Sequence, residues 1–171
     1  MIPFFATIPH SGERVPSEAT WLQGLSEPVL MRDVDRFVDR LYEPSLLHLQ
    51  IPFIKTQWHR YVIDLNRWTD DVDCDSVKGH PNPTGKFSRG LHWILTTEGE
   101  RLMAEPMSQE MHQKFIDLIF KPFHGDVKKQ FAVFKEQGAK QVYHVDLHSM
   151  PSKGTTQHRD PGQTRASIVI S

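Results

Sequence analysis

The chain has 171 residues, of which 38% are hydrophobic and 24% are charged, and its formal net charge at pH 7 is −1. This length and composition predict a single globular domain with a hydrophobic core, residues 1–171. Because Lys and Arg form no long run, neither nucleic acid nor an anionic membrane is expected as a partner. The single cysteine, Cys74, excludes an intrachain disulfide and a cysteine-based zinc cluster.

The first predicted element is a strand over residues 2–8 (IPFFATI), which ends at the turn PHSG. It does not resemble a signal peptide, because no basic region precedes it and prolines interrupt it. No apolar run in the sequence is long enough to cross a bilayer. We therefore expect a cytoplasmic location.

The next elements alternate between helix and strand. From Glu27 onward, apolar residues at helical spacing predict an amphipathic helix that Pro44 ends or kinks. Residues 51–57 and 59–65 predict two strands or one bent strand. Residues 69–90 are rich in Asp, Gly and Pro and predict a long loop, which we interpret as a lid.

The C-terminal half repeats this alternation. A helical region is predicted to begin near Ser108, to be kinked by Pro122 and to end at Gly138. A strand over 140–147, a polar loop over 151–165 and a further strand over 166–171 are expected to follow. The order predicts an α/β domain with a mixed, mostly parallel sheet flanked by helices. Because the sequence stops within an apolar strand pattern, we expect the domain to be incomplete at its C-terminus.

Histidines follow two of the predicted strands. His10 follows the first strand and His148 follows the strand over 140–147, so both can meet where parallel strands end. With one acidic ligand, either Glu13 or Asp35, they would leave a fourth position for water, as in zinc sites that activate water. The alternative is that both histidines are structural and that the acids lie on a solvated helix face.

A second polar group occurs in HRYVIDLNRW, residues 59–68. Arg67 has the fork geometry that grips a carboxylate, and Asn66 can hold a second oxygen of the same group. Arg60 can polarise a carbonyl and stabilise the oxyanion that forms when water attacks. The alternative is a salt bridge between Asp64 and an arginine that only closes a turn.

Four motifs in this order, IPHSGERVP, MRDVDRFVDRLY, RYVIDLNR and VDLHSMPS, resemble the N-formylglutamate amidohydrolase (N-formylglutamate deformylase) family. That family is distantly similar to zinc carboxypeptidases and aspartoacylase. The resemblance implies a zinc-carboxypeptidase-like fold and one zinc ion held by His10 and His148. The family pattern favours Asp35 as third ligand, whereas the His-x-x-Glu of the distant relatives keeps Glu13 open.

The resemblance also implies roles for the second polar group. Asn66 and Arg67 would bind the substrate carboxylate, and Arg60 would be a catalytic residue at the substrate carbonyl. The general base would lie beyond residue 171. The implied activity is zinc-dependent hydrolysis of N-formylglutamate to glutamate and formate, a step of histidine breakdown. The alternatives are a deacylase or peptidase for another carboxylate-bearing amide, a non-catalytic carboxylate-binding module, and an interaction domain whose partner surface is formed by residues 91–103 and the Phe-rich helix that begins near Ser108.

Overall fold

Three parallel strands form the sheet in the part of the chain that this computed structural model describes, residues 2–154 and 159–170. They are β1 (Phe4–Ile8), β2 (Phe53–Lys55) and β3 (Tyr143–Asp146), in the order β2–β1–β3. The prediction of an α/β domain with a mostly parallel sheet is confirmed, and the pairing of the described strands is parallel throughout. The likeness to zinc carboxypeptidases stays a prediction.

Helices pack on both faces of the central strand. The described α-helices are α1 (Glu27–Leu30), α2 (Val38–His48), α3 (Gln109–Phe115) and α4 (Lys121–Glu136), of which α2 and α4 contact β1. Ala6 and Ile8 pack in one cluster with Val38 and Leu46 of α2. Phe5 points to the other face, where its ring meets that of Phe131 on α4 edge to face at 4.9 Å. Successive side chains of a strand face opposite ways, so β1 is buried on both sides.

The register brings the segments after β1 and β3 to one end of the sheet. Thr7 of β1 lies opposite Asp146 of β3, and Ile8 lies opposite Lys55 of β2. Parallel strands end at a common edge, and the crevice outside that edge is where open α/β sheets bind ligands. His10 and His148 therefore leave the sheet next to each other.

The helix expected from Glu27 is wrong as one continuous element. The chain leaves α1 at Met31 and enters α2 only after Phe37, whose φ of 71° is left-handed and breaks the helix. In the break, the backbone N–H of Asp35 donates to the carbonyl of His10 at 3.0 Å. Pro44 does not end α2, which continues because Leu46 beyond it is buried against β1.

The strand expected over 59–65 is also wrong. Residues 59–65 form turns, although Tyr61 and Ile63 are almost fully buried. The side chains of His59 and Asp64 accept backbone N–H groups two residues further on and replace the bonds of a ladder. The apolar pattern over 59–65 therefore indicates that these residues are buried, and not that they form a strand.

The long loop over 69–90 is confirmed, since no named helix or strand falls within it. The buried carboxylate of Asp73 holds it together by accepting the backbone N–H groups of Asp75, Ser76 and Phe87. Its role as a lid stays a prediction.

The helical region from Ser108 is confirmed at both ends. The Ser108 hydroxyl accepts the backbone N–H of Met111 at 3.1 Å, which is an N-cap bond. Gly138, with φ of 85°, follows α4, and Ala139 N–H closes the end on Phe134 O at 3.0 Å. Instead of a simple proline kink, a π-helical segment, Ile116–Phe120, ends two residues before Pro122.

The end of the chain differs in part from expectation. β3 lies within the predicted strand over 140–147, as expected. Residues 166–170 form no strand, and Ser171 lies outside the described residues, as do 155–158 of the predicted polar loop. Within the described ranges, no helix combines the length and the apolar character needed to span a membrane.

Candidate metal centre

His10, Asp35 and His148 converge at the carboxyl end of the sheet. Each offers one potential ligand atom, and these atoms all lie within 4.8 Å of one another. His10 and Asp35 are buried, whereas His148 is exposed and faces the surface. The structure thus brings together one histidine from the end of β1, one from the end of β3 and an acid from the break before α2.

The Nδ1 atoms of both histidines face the same oxygen of Asp35. His148 Nδ1 lies 2.8 Å from Asp35 Oδ2, and His10 Nδ1 lies 3.7 Å from it. His10 Nδ1 is buried and has no hydrogen-bond partner, which is unusual for a polar atom inside a protein. Two imidazole nitrogens and a carboxylate oxygen are a common protein donor set for zinc. The residues present therefore fit a single divalent ion.

The charges of this group depend on one another. Burial raises the pKa of Asp35, but the nearby His10 ring and the hydrogen bond with His148 outweigh it and lower that pKa to about 2. Burial lowers the pKa of His10, and its contacts with the carboxylates of Asp35 and Asp64 raise it by more, so that the net shift is upward. The pocket therefore stabilises positive charge beside ionised carboxylates, which is also what a bound cation requires.

Asp64 completes the site from the interior. Its carboxylate is almost fully buried, with Oδ1 at 2.8 Å from His10 Nε2 and at 2.9 Å from the backbone nitrogen of Asn66. Oδ2 accepts Arg60 at 2.9 Å and Trp93 Nε1 at 3.0 Å. The salt bridge with an arginine is present, but the contact with His10 was missed from the sequence. The available signal was a lone acid inside the apolar run YVIDL, because a buried carboxylate must have partners.

Arg60 lies behind the histidine and is largely enclosed. Its guanidinium stacks over the Trp93 ring at 4.6 Å and donates to the carbonyl oxygen of Asp33 at 2.9 Å, besides its bond to Asp64. Its side chain is only 14% exposed. The structure therefore places Arg60 in the support of the site, and its contact with a substrate carbonyl stays a prediction.

Asn66 lies at the open side, and Arg67 follows it in sequence. The amide of Asn66 contacts His148 Nε2 at 3.1 Å, so it adjoins the candidate ligand group. Arg67 is exposed, and within 2–154 and 159–170 its side chain has no hydrogen bond or ion pair. An exposed guanidinium can grip a carboxylate, and the role of Arg67 as a clamp stays a prediction.

Glu13 is not part of the converging group. Its carboxylate accepts Arg36 Nε at 3.0 Å on the surface. A cavity of about 590 Å³ opens beside it, lined among others by Ser11, Arg40 and Trp58, and none of the three converging residues lines this cavity. We therefore locate the site from the convergence of its ligand atoms and not from this cavity.

Comparison with known proteins finds one matching family and several similar sequences. The model of the N-formylglutamate amidohydrolase family matches residues 2–171. N-formylglutamate deformylase from Pseudomonas putida is 28% identical over 138 residues, which cover 80% of this chain and 48% of the relative. The enzyme of the same name from Pseudomonas aeruginosa is 26% identical over 139 residues, with the same shares. The chain thus spans about half the length of the curated relatives it matches.

Two solved structures share the fold. The crystal structure of N-formylglutamate amidohydrolase from Ralstonia eutropha superimposes with a TM-score of 0.73 at 25% identity, covering 88% of this chain and 54% of that chain. A crystallised gene product from Agrobacterium tumefaciens superimposes with a TM-score of 0.69 at 16% identity, covering 95% of this chain and 56% of that chain. At this lower identity the second likeness concerns the fold alone.

Proposed function

This chain belongs to the N-formylglutamate amidohydrolase family, and we propose that its site takes part in zinc-dependent hydrolysis of a small N-acyl amino acid. N-formylglutamate is the proposed substrate, with glutamate and formate as products. The observation that carries the proposal is the convergence of His10, Asp35 and His148, with a buried His10 Nδ1 that lacks a partner. We base the choice of substrate on the names of the relatives, because no contact described in the site distinguishes formyl from another small acyl group.

His10, Asp35 and His148 would hold the ion. When bound by two histidines and a carboxylate, zinc lowers the pKa of a water ligand and polarises a carbonyl oxygen. The side chains of this protein exclude water behind His10, keep Asp35 ionised and leave the His148 side open for the substrate.

Arg67 and Asn66 would bind the substrate carboxylate. The exposed guanidinium of Arg67 can donate two parallel hydrogen bonds to it, and Asn66 adjoins both Arg67 and His148. Holding the carboxylate fixes the distance between the amide carbon and the ligand group, which is how positioning lowers a barrier. Hydrolysis adds water to that carbon, breaks its bond to nitrogen and leaves a proton on the amine.

A second function is favoured by the free guanidinium of Arg67. Arg67 and Asn66 could bind a carboxylate without turnover, in which case the chain would be a carboxylate-binding module. The predicted cytoplasmic location and the exclusion of nucleic acid as a partner stay predictions.

The test is the zinc content per chain, measured by elemental mass spectrometry after purification without added metal. We expect close to one zinc in the parent protein and little in His148→Ala and Asp35→Ala. Glu13→Ala, which removes the other acid considered for the ion, should keep the parental content. If folded parent protein binds no zinc even when zinc is offered, the proposed site is wrong.

Turnover is measured in the same preparations as formate release from N-formylglutamate. Formate release that follows zinc content across the variants supports the hydrolase. Stoichiometric zinc and calorimetric binding of glutamate, without any formate release, would instead support the carboxylate-binding module.

A further inference from the structure

The carboxylate of Asp64 is built into the interior so that one oxygen serves His10. Asp64 is 1% exposed, and its Oδ2 is occupied by Arg60 and by Trp93 Nε1. Its Oδ1 is left for His10 Nε2 and for the backbone N–H of Asn66. Four donors converge on one carboxylate, which holds its plane and its position.

The contact determines which nitrogen of His10 is available to an ion. An ionised carboxylate only accepts hydrogen bonds, so the nitrogen at 2.8 Å from Asp64 Oδ1, Nε2, carries the proton. In the neutral ring the other nitrogen, Nδ1, then has a free lone pair. That atom is buried without a partner and faces Asp35 Oδ2 at 3.7 Å.

We infer that Asp64 is a positioning residue, which fixes the tautomer and ring orientation of His10 so that Nδ1 is presented to the ion. The inference rests on the metal site proposed above. Arg60 and Trp93 extend the arrangement by one step, because they hold the oxygen of Asp64 that His10 does not use. Outer carboxylates of this kind raise the affinity of histidine ligands for metal.

The test compares Asp64→Asn with the parent protein. An asparagine has nearly the same shape, but its NH₂ group must face either Arg60 and Trp93 or His10. If it faces Arg60 and Trp93, donors lie against donors. If it faces His10, it donates to His10 Nε2, so the ring proton moves to Nδ1. We expect the dissociation constant for zinc, measured by competition with a chromophoric chelator, to rise about 10- to 100-fold.

Asp33→Asn is the matched control. Asp33 is a neighbouring, partly buried acid that accepts Tyr61 Oη at 2.6 Å and Thr97 N–H at 3.1 Å, and no contact joins its carboxylate to the converging group. We expect it to lower the unfolding temperature of the zinc-free protein and to leave the zinc dissociation constant unchanged. A purely structural role of Asp64 would make the two variants alike.

Trp93→Phe provides a milder change in case Asp64→Asn does not fold. It keeps an aromatic ring at this position and removes one donor to Asp64 Oδ2, and zinc should bind about three- to tenfold more weakly. Parental zinc affinity in the folded Asp64→Asn or Trp93→Phe variant would overturn the inference while the proposed zinc site stands. Absence of zinc binding by the parent would overturn both.

Discussion

Two buried histidines outside the metal centre should make the fold sensitive to mild acid. Burial lowers the pKa of His59 to about 4 and that of His92 to about 3. In His59 the Nε2–H donates to Leu30 O at 2.8 Å and Nδ1 accepts the Tyr61 N–H at 3.0 Å, which leaves no place for a second proton. His92 lies in a similar enclosure, with Nδ1 at 2.6 Å from the carbonyl oxygen of Val62.

The free energy of unfolding falls as the pH falls because the unfolded chain binds protons at a higher pH than the folded protein does. In the unfolded chain a histidine takes up a proton near pH 6.5, whereas in the fold these two remain neutral until about pH 4 and about pH 3. The stability that the two neutral histidines contribute to the fold is therefore fully present above pH 6.5. It is lost as the pH falls toward their pKa values in the folded protein. Between pH 7.5 and pH 5 each group lowers the free energy of unfolding by about 2 kcal/mol, or about 4 kcal/mol for both.

The assay is urea unfolding at pH 7.5, 6.5, 5.5 and 5 with a chelator present, so that metal does not contribute. We expect His59→Gln, whose amide keeps the donor to Leu30, to lose about 2 kcal/mol less than the parent over this range. His10 acts in the opposite direction because its pKa is raised, but it is common to both proteins and cancels in the difference.

His48→Gln is the matched control, because it removes a histidine that is exposed at the end of α2. Equal pH dependence in the parent and in His59→Gln would refute the reasoning. The reasoning would also be refuted if His48→Gln changed the pH dependence of the free energy of unfolding as much as His59→Gln does.

Three further predictions concern the clamp, a close backbone contact and a helix cap. Arg67→Ala should raise KM for carboxylate-bearing amides about tenfold or more and change KM for neutral amides little, whereas equal effects would remove the clamp. Gly12→Ala should destabilise the fold by about 3 kcal/mol in thermal unfolding, because its Cβ would lie 2.5 Å from Trp58 O; an unchanged Tm would contradict this packing. Ser108→Ala should lower the free energy of unfolding in urea by about 1 kcal/mol, because the hydrogen bond from Met111 N–H is lost. Ser108→Asp should keep most of the parental stability, because its carboxylate can accept the same bond.

Local signals in the sequence were sufficient for the elements whose cause is local. The capping serine before α3 and the glycine after α4 mark helix ends by bonds within a few residues, and both predictions were confirmed. Likewise, four motifs in a fixed order were sufficient to predict the family, because each motif is a short continuous stretch of sequence. Two of the errors in the fold have a tertiary cause. Residues 59–65 are apolar because the core surrounds them, and α1 is separated from α2 by a segment that bonds back to His10.

The family, the α/β class and a short set of candidate ligands that included His10, Asp35 and His148 could be predicted from the sequence. That Asp35 joins the histidines while Glu13 pairs with Arg36, and that Asp64 contacts His10, is visible only in the folded chain. The reason is the register of the parallel strands. His10 and His148 meet only because β1 and β3 end at the same edge of the sheet, and Asp35 joins them because its backbone N–H bonds to the carbonyl of His10.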